Sequence, residues 1–150
     1  MLFRSTWFNG SSGDVGIITL TNTGQVANLF YASANTDVRP FTSYAFLSDI
    51  QMNEWMCRGG ATTGYLCGRI HDLDVSRDVD GKAINHQNEV DFDASPGDSG
   101  APYFYTNEFD GIHSDSTDDG APPPRYAWYT PYVWAATVVS TVDICLDANC

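Results

Sequence analysis

Basic residues are scarce in this chain. Lys82 is its one lysine, and lysine and arginine together number 7 against 19 acidic residues, for a net charge of −12. So acidic a surface repels a phosphate backbone and excludes nucleic acid as a partner. Long apolar runs are also missing. The longest, residues 132–139, falls far short of the ~18 residues of a membrane-spanning helix, so no membrane partner is expected. The cysteines, Cys57, Cys67, Cys145 and Cys150, include no closely spaced C-x-x-C pair of the kind zinc requires. Repeats, low-complexity tracts and inter-domain linkers are absent as well.

What remains is β-patterned. Residues 15–20 form a short apolar run, and residues 101–106 are rich in aromatics. Asp80-Gly81 stands between two strand-like segments, residues 75–79 and 82–90, as a hairpin signal. Residues 117–124 read as a loop. Residues 133–142 hold six β-branched residues, a poor local composition for a helix. The length, 150 residues, suffices for one sizeable core.

Aspartates invite a metal test. Asp72-Leu73-Asp74 and Asp78-Val79-Asp80-Gly81 resemble fragments of a calcium loop, but no register supplies both the glycine and the terminal glutamate of an EF-hand. A solvated hairpin is the better reading. Asp110, Asp115, Asp118 and Asp119 could at most form an irregular site. No metal and no cofactor is assigned.

The most informative run is Ser95-Pro96-Gly97-Asp98-Ser99-Gly100-Ala101-Pro102. A serine hydroxyl is a weak nucleophile. It needs exposure on a tight turn, with backbone N–H groups aimed at the oxygen that becomes negative. Gly97 allows such a turn and sets its N–H beside that of Ser99.

Gly97-Asp98-Ser99-Gly100 resembles the nucleophile loop of chymotrypsin-like serine proteases. Cys57-Arg58-Gly59-Gly60-Ala61-Thr62-Thr63-Gly64-Tyr65-Leu66-Cys67-Gly68 resembles a hairpin of their bacterial streptogrisin and α-lytic protease branch. Gly111-Ile112-His113-Ser114 resembles the strand lining the specificity pocket. Tyr129-Thr130-Pro131 resembles the approach to a C-terminal helix.

The resemblance implies an all-β double barrel. Residues 1–45 would be a partial N-terminal barrel. Residues 46–150 would hold the complete C-terminal barrel (46–133) and a terminal helix (134–144). It implies a secreted, extracellular serine endopeptidase acting on polypeptides through an acyl-enzyme. Ser99 would be the nucleophile, and the Gly97 and Ser99 N–H groups the oxyanion hole. Arg58 would pair with an inward-turned Asp98, and Cys57 with Cys67 in a disulfide. Cys145 and Cys150 are close enough to pair, or one is free.

Asp14, entering the run 15–20 and lying 85 residues before Ser99, resembles the triad aspartate. The triad histidine precedes that aspartate in this family, whereas His71, His86 and His113 all follow Asp14. The resemblance therefore places the base, a pro-segment and a signal before Met1, and these 150 residues are expected to hydrolyse peptides poorly. Met1-Leu2-Phe3-Arg4, leading straight into Ser5-Thr6-Trp7, does not read as a signal. The alternative is a non-catalytic relative that binds a peptide or partner in the same cleft. The specificity pocket stays open. Asp93 has the spacing of a base-selecting aspartate, while His113, followed by Ser114, has the position of a carboxylate-binding histidine.

Overall fold

A computed structural model of the chain describes residues 3–10, 13–20, 28–33, 37–79, 81–117 and 123–138, the first two segments by backbone only. Antiparallel strands β1 (Phe3–Gly10) and β2 (Gly13–Leu20) form a hairpin in which Asn9 pairs with Asp14. Short strands follow: β3 (Phe30–Tyr31), β4 (Val38–Arg39) and β5 (Ser43–Tyr44). Six longer ones come next: β6 (Trp55–Gly60), β7 (Gly64–Val79), β8 (Lys82–Val90), β9 (Pro102–Tyr105), β10 (Glu108–Ser116) and β11 (Ala127–Pro131). These last six close into a ring, β6-β7-β8-β11-β10-β9, with β9 returning to pair with β6. Strand β5 adds to β10 in parallel.

Alternation of side chains across each strand feeds two cores. Met56, Ile70, Val90, Tyr103, Ala127 and Tyr129 fill the ring interior. Their immediate neighbours Cys57 and Phe104 point the other way and pack with Phe30, Phe41 and Phe109. Phe30 and Phe41 stack at 4.0 Å and fasten residues 28–41 to the outside of the ring.

Gly81, at φ +77°, lies between β7 and β8, where the sequence places a hairpin turn; Asp80 lies outside the described residues. Strand β7, however, begins at Gly64, eleven residues before the segment read from the sequence. Register shifts between Ile70 and Arg77 break the alternation that would have revealed its full length. A helix α1 covers Tyr132–Val138, although its composition favours a strand. Ala135 is buried, and Tyr132 packs on Tyr44 and Phe109, so tertiary contact overrides propensity there. The continuation to residue 144, and the loop residues 118–122, lie outside the described residues.

Candidate active site

The loop bearing Ser99 runs between Phe92 and β9. Gly97 has φ +104°, and a Cβ there would lie 2.4 Å from Thr62 Oγ1, so only glycine fits the turn. The N–H groups of Asp98, Gly100 and Ala101 donate to the carbonyls of Ser95, His113 and Asp98. Among the described residues nothing accepts from the Gly97 or Ser99 N–H, and the Ser99 hydroxyl has no partner. Unclaimed backbone donors beside a serine hydroxyl are one requirement of an oxyanion site.

Asp98 is turned inward and fully buried. Arg58 Nη2 lies 3.0 Å from its Oδ2. The N–H groups of Thr62 (2.8 Å) and Thr63 (3.1 Å) donate to Oδ1. The Thr63 hydroxyl (2.7 Å) and the Ser95 N–H (3.1 Å) donate to Oδ2. Burial works against the charged form, but the Thr63 hydroxyl and the N–H donors of Thr62, Ser95 and Thr63 outweigh it and lower the carboxyl to about 2. Arg58 also donates to the Asp93 carbonyl at 3.1 Å and to the Thr63 hydroxyl. Gly60 allows the hairpin to close over this carboxylate, since a Cβ there would fall 2.4 Å from Asp98 Oδ1. The motif at residues 57–68 does not by itself reveal that Thr62 and Thr63 hold this carboxylate or that Gly60 lies against it.

Cys57 and Cys67 face each other in register across the same hairpin and are disulfide-bonded, with a Cα separation of 4.1 Å. Cys145 and Cys150 lie outside the described residues.

A cavity of about 280 Å³ opens beside Ser99. His113, Ser114, Asp115, Ser116 and Thr117 form one wall, and residues 94–96 the other. His113 is buried, its Nδ1 3.1 Å from the Tyr103 hydroxyl. Burial, then the nearby Arg58 charge, lowers it to about 4, although it also hydrogen-bonds the Trp128 backbone. It is therefore a neutral wall residue at physiological pH. Asp93 is not among the lining residues. Its half-exposed carboxylate pairs with Arg125 at 3.0 Å. The sequence spacing places Asp93 before the loop but does not reveal that Arg125, a strand away, claims its side chain. Asp115, at the cavity wall, pairs with Arg77 at 3.1 Å.

None of the three histidines hydrogen-bonds Ser99. His71 bonds Glu89, and His86 bonds Asp74 and stacks on Trp134. Asp14 is placed only as backbone in β2. Among the described residues no group of three or more His, Cys, Asp or Glu is set to hold a metal ion. Asp118 and Asp119 lie outside them.

The closed ring, the second barrel-side core and the Ser99 loop give the chain the chymotrypsin-like fold of bacterial serine proteases. Several solved structures share this fold. One is a glutamic acid-specific serine protease that uses a histidine triad in substrate binding (TM-score 0.78, 19% identity, covering 92% of this chain and 71% of that one). Others are Thermobifida fusca Protease A (0.75, 22%, 87% and 67%) and a Cellulomonas bogoriensis chymotrypsin (0.75, 19%, 91% and 73%). No protein-family model and no curated sequence matches the chain.

Proposed function

We propose that the chain carries the nucleophile half of an extracellular serine endopeptidase. The observation that carries this reading is the Ser99 loop. Among the described residues its hydroxyl and the Gly97 and Ser99 N–H groups have no partner, and its inward neighbour Asp98 is anchored by Arg58. In acyl transfer Ser99 Oγ adds to the substrate carbonyl, and the two N–H groups bind the resulting oxyanion. The proton leaving Oγ needs a base, which Asp14 would orient if a histidine stood between them. None of His71, His86 and His113 hydrogen-bonds Ser99, so hydrolysis by this chain alone is expected to be weak. Neutral His113 offers no charge to an acidic side chain, and Asp93 and Asp115 are each held by arginine. The cavity therefore favours an uncharged side chain. Residues 1–45 would belong to an N-terminal barrel and 46–150 to the C-terminal barrel and helix.

The same missing base favours a second reading, a non-catalytic relative that holds a peptide in the cleft. Incubation with an activated p-nitrophenyl ester, followed by peptide mass mapping, separates the two. An acyl adduct on Ser99 supports the nucleophile, whereas acylation elsewhere or none at all supports the binding module.

A further inference from the structure

We propose that a second cavity, remote from Ser99 and lying between residues 45–56 and β10, binds an organic cation such as an ammonium or guanidinium group, with Asp110 as its anchor. The cavity holds about 330 Å³ and is walled by Glu54, Trp55, Arg69, Tyr105, Glu108 and Asp110, among others. That volume lies near the lower end of small-ligand sites.

Asp110 is the unusual member. It is 3% exposed, and its Oδ2 is buried without a partner among the described residues. The β9–β10 ladder shifts register between Phe109 and Gly111, so Asp110 sits in the bulge. Bulges of this kind re-aim a side chain. The Tyr105 backbone hydrogen bond is the one donor to this carboxyl among the described residues, and a buried carboxylate so weakly supported favours neutralisation by a proton or by a cation. Burial first, then the nearby charge of Glu108, raises Asp110 to about 8.

The other cavity groups leave that need unmet. Arg69, the one cation in the wall, lies 4.8 Å from the Trp55 ring centroid and donates to the Asn53 carbonyl at 2.5 Å. It makes no ion pair with a carboxylate among the described residues. Glu54 accepts from the Gln51 N–H, and Glu108 from the Ser43 hydroxyl, each at 3.0 Å. Neither gains a positive partner. Trp55 and Tyr105 are about half exposed and present aromatic surface, which attracts cations. The Tyr129 hydroxyl on β11 accepts from the Asn88 amide and stays protonated, raised by burial and then by the Asp110 charge. A cation entering the cavity would displace the proton of Asp110. Affinity should therefore rise with pH through about 8.

A free small cation and an arginine or lysine side chain of a protein share this chemistry. Titration of butylguanidinium, followed by the NMR shift of the Trp55 indole N–H, tests the site directly. A saturable shift is expected, with Kd on the order of 1 mM above pH 8 and roughly hundredfold weaker binding near pH 6. Asp110→Asn should abolish it, and Ser99→Ala should leave it unchanged, which separates this site from the peptidase reading. Should Asp110→Asn fail to fold, Glu54→Gln and Glu108→Gln must each weaken binding about two- to fivefold. An arginine-containing pentapeptide that shifts Trp55 at about tenfold lower concentration assigns the cation to a protein side chain; equal or weaker binding assigns it to a small molecule. No Trp55 shift with either ligand, an equal shift with neutral butylurea, or an affinity indifferent to pH and to the carboxylate variants would overturn the proposal.

Discussion

The Asp98 carboxylate lies 3.0 Å from the Arg58 guanidinium, and neither side chain has any exposure to solvent. Arg58 sits on β6 and Asp98 beside Ser99, so this contact joins those of Thr62 and Thr63 in tying the nucleophile loop to the hairpin. Removing one partner of a buried pair leaves the other charge without compensation. Arg58→Ala should therefore cost about 3–5 kcal/mol, read as a shift in the urea midpoint. A loss below about 1 kcal/mol would show that the pair is dispensable.

Acid should destabilise the fold in two steps. His113 is lowered to about 4 from an ordinary 6.5, so the unfolded chain takes its proton first and stability falls as pH drops from about 6.5 to 4. Asp98 is lowered to about 2, so its contribution is present above about 3.8 and is lost as pH falls toward 2. His113→Phe should flatten the first step and spare the second. Urea melts across the acid range read both. A His113→Phe curve that still falls between pH 6.5 and 4 would remove His113 as the cause.

Asp110 acts in the opposite sense. Its carboxyl is raised to about 8, so the stability present below about 3.8 declines as pH rises and levels off above about 8. Asp110→Asn should be more stable than the parent by a margin that grows from pH 4 to pH 8. A margin independent of pH would contradict this.

Two glycines of one hairpin should respond differently to alanine. At Gly60 a Cβ would meet Asp98 Oδ1 at 2.4 Å, whereas Gly64, at φ +72°, has nothing within 4 Å. Gly64→Ala should cost about 1 kcal/mol of backbone strain. Gly60→Ala should cost more and should also lower acylation of Ser99, because it displaces the carboxylate next to the nucleophile. Thermal melts and the ester assay separate the two effects, and equal behaviour of the two variants would refute this account of Gly60.

Reduction of Cys57–Cys67 should destabilise by about 2–3 kcal/mol, since the bond closes only a short loop. Thiol titration before and after reduction, with paired thermal melts, measures it. An unchanged melt with two new thiols would show that the register of β6 and β7 suffices alone.

What could be read from the sequence was what is local. Gly97 to Gly100 and Cys57 to Cys67 carry their geometry within a few residues, and the structure places both loops against each other. Asp93 shows the limit of such reading. Spacing fixed its distance from Ser99 along the chain, but the direction of its side chain depends on Arg125, 32 residues away. Asp110 stands out in the sequence only as one of several aspartates; its burial at a bulge of β10, with Glu54 of the segment 45–56 in the same cavity wall, emerges only in the fold. Helix α1 ran against its own composition and was read from resemblance alone.

The most direct measurement supplies a base to Ser99 from solution. Hydrolysis of a peptide p-nitrophenyl ester is followed with increasing imidazole, for the parent and for Ser99→Ala. The account predicts slow hydrolysis without imidazole, no more than about 10³-fold over water. A saturable, imidazole-dependent increase should then appear, and Ser99→Ala should eliminate it. A turnover of about 10 s⁻¹ without imidazole, or an imidazole response that survives Ser99→Ala, would contradict it.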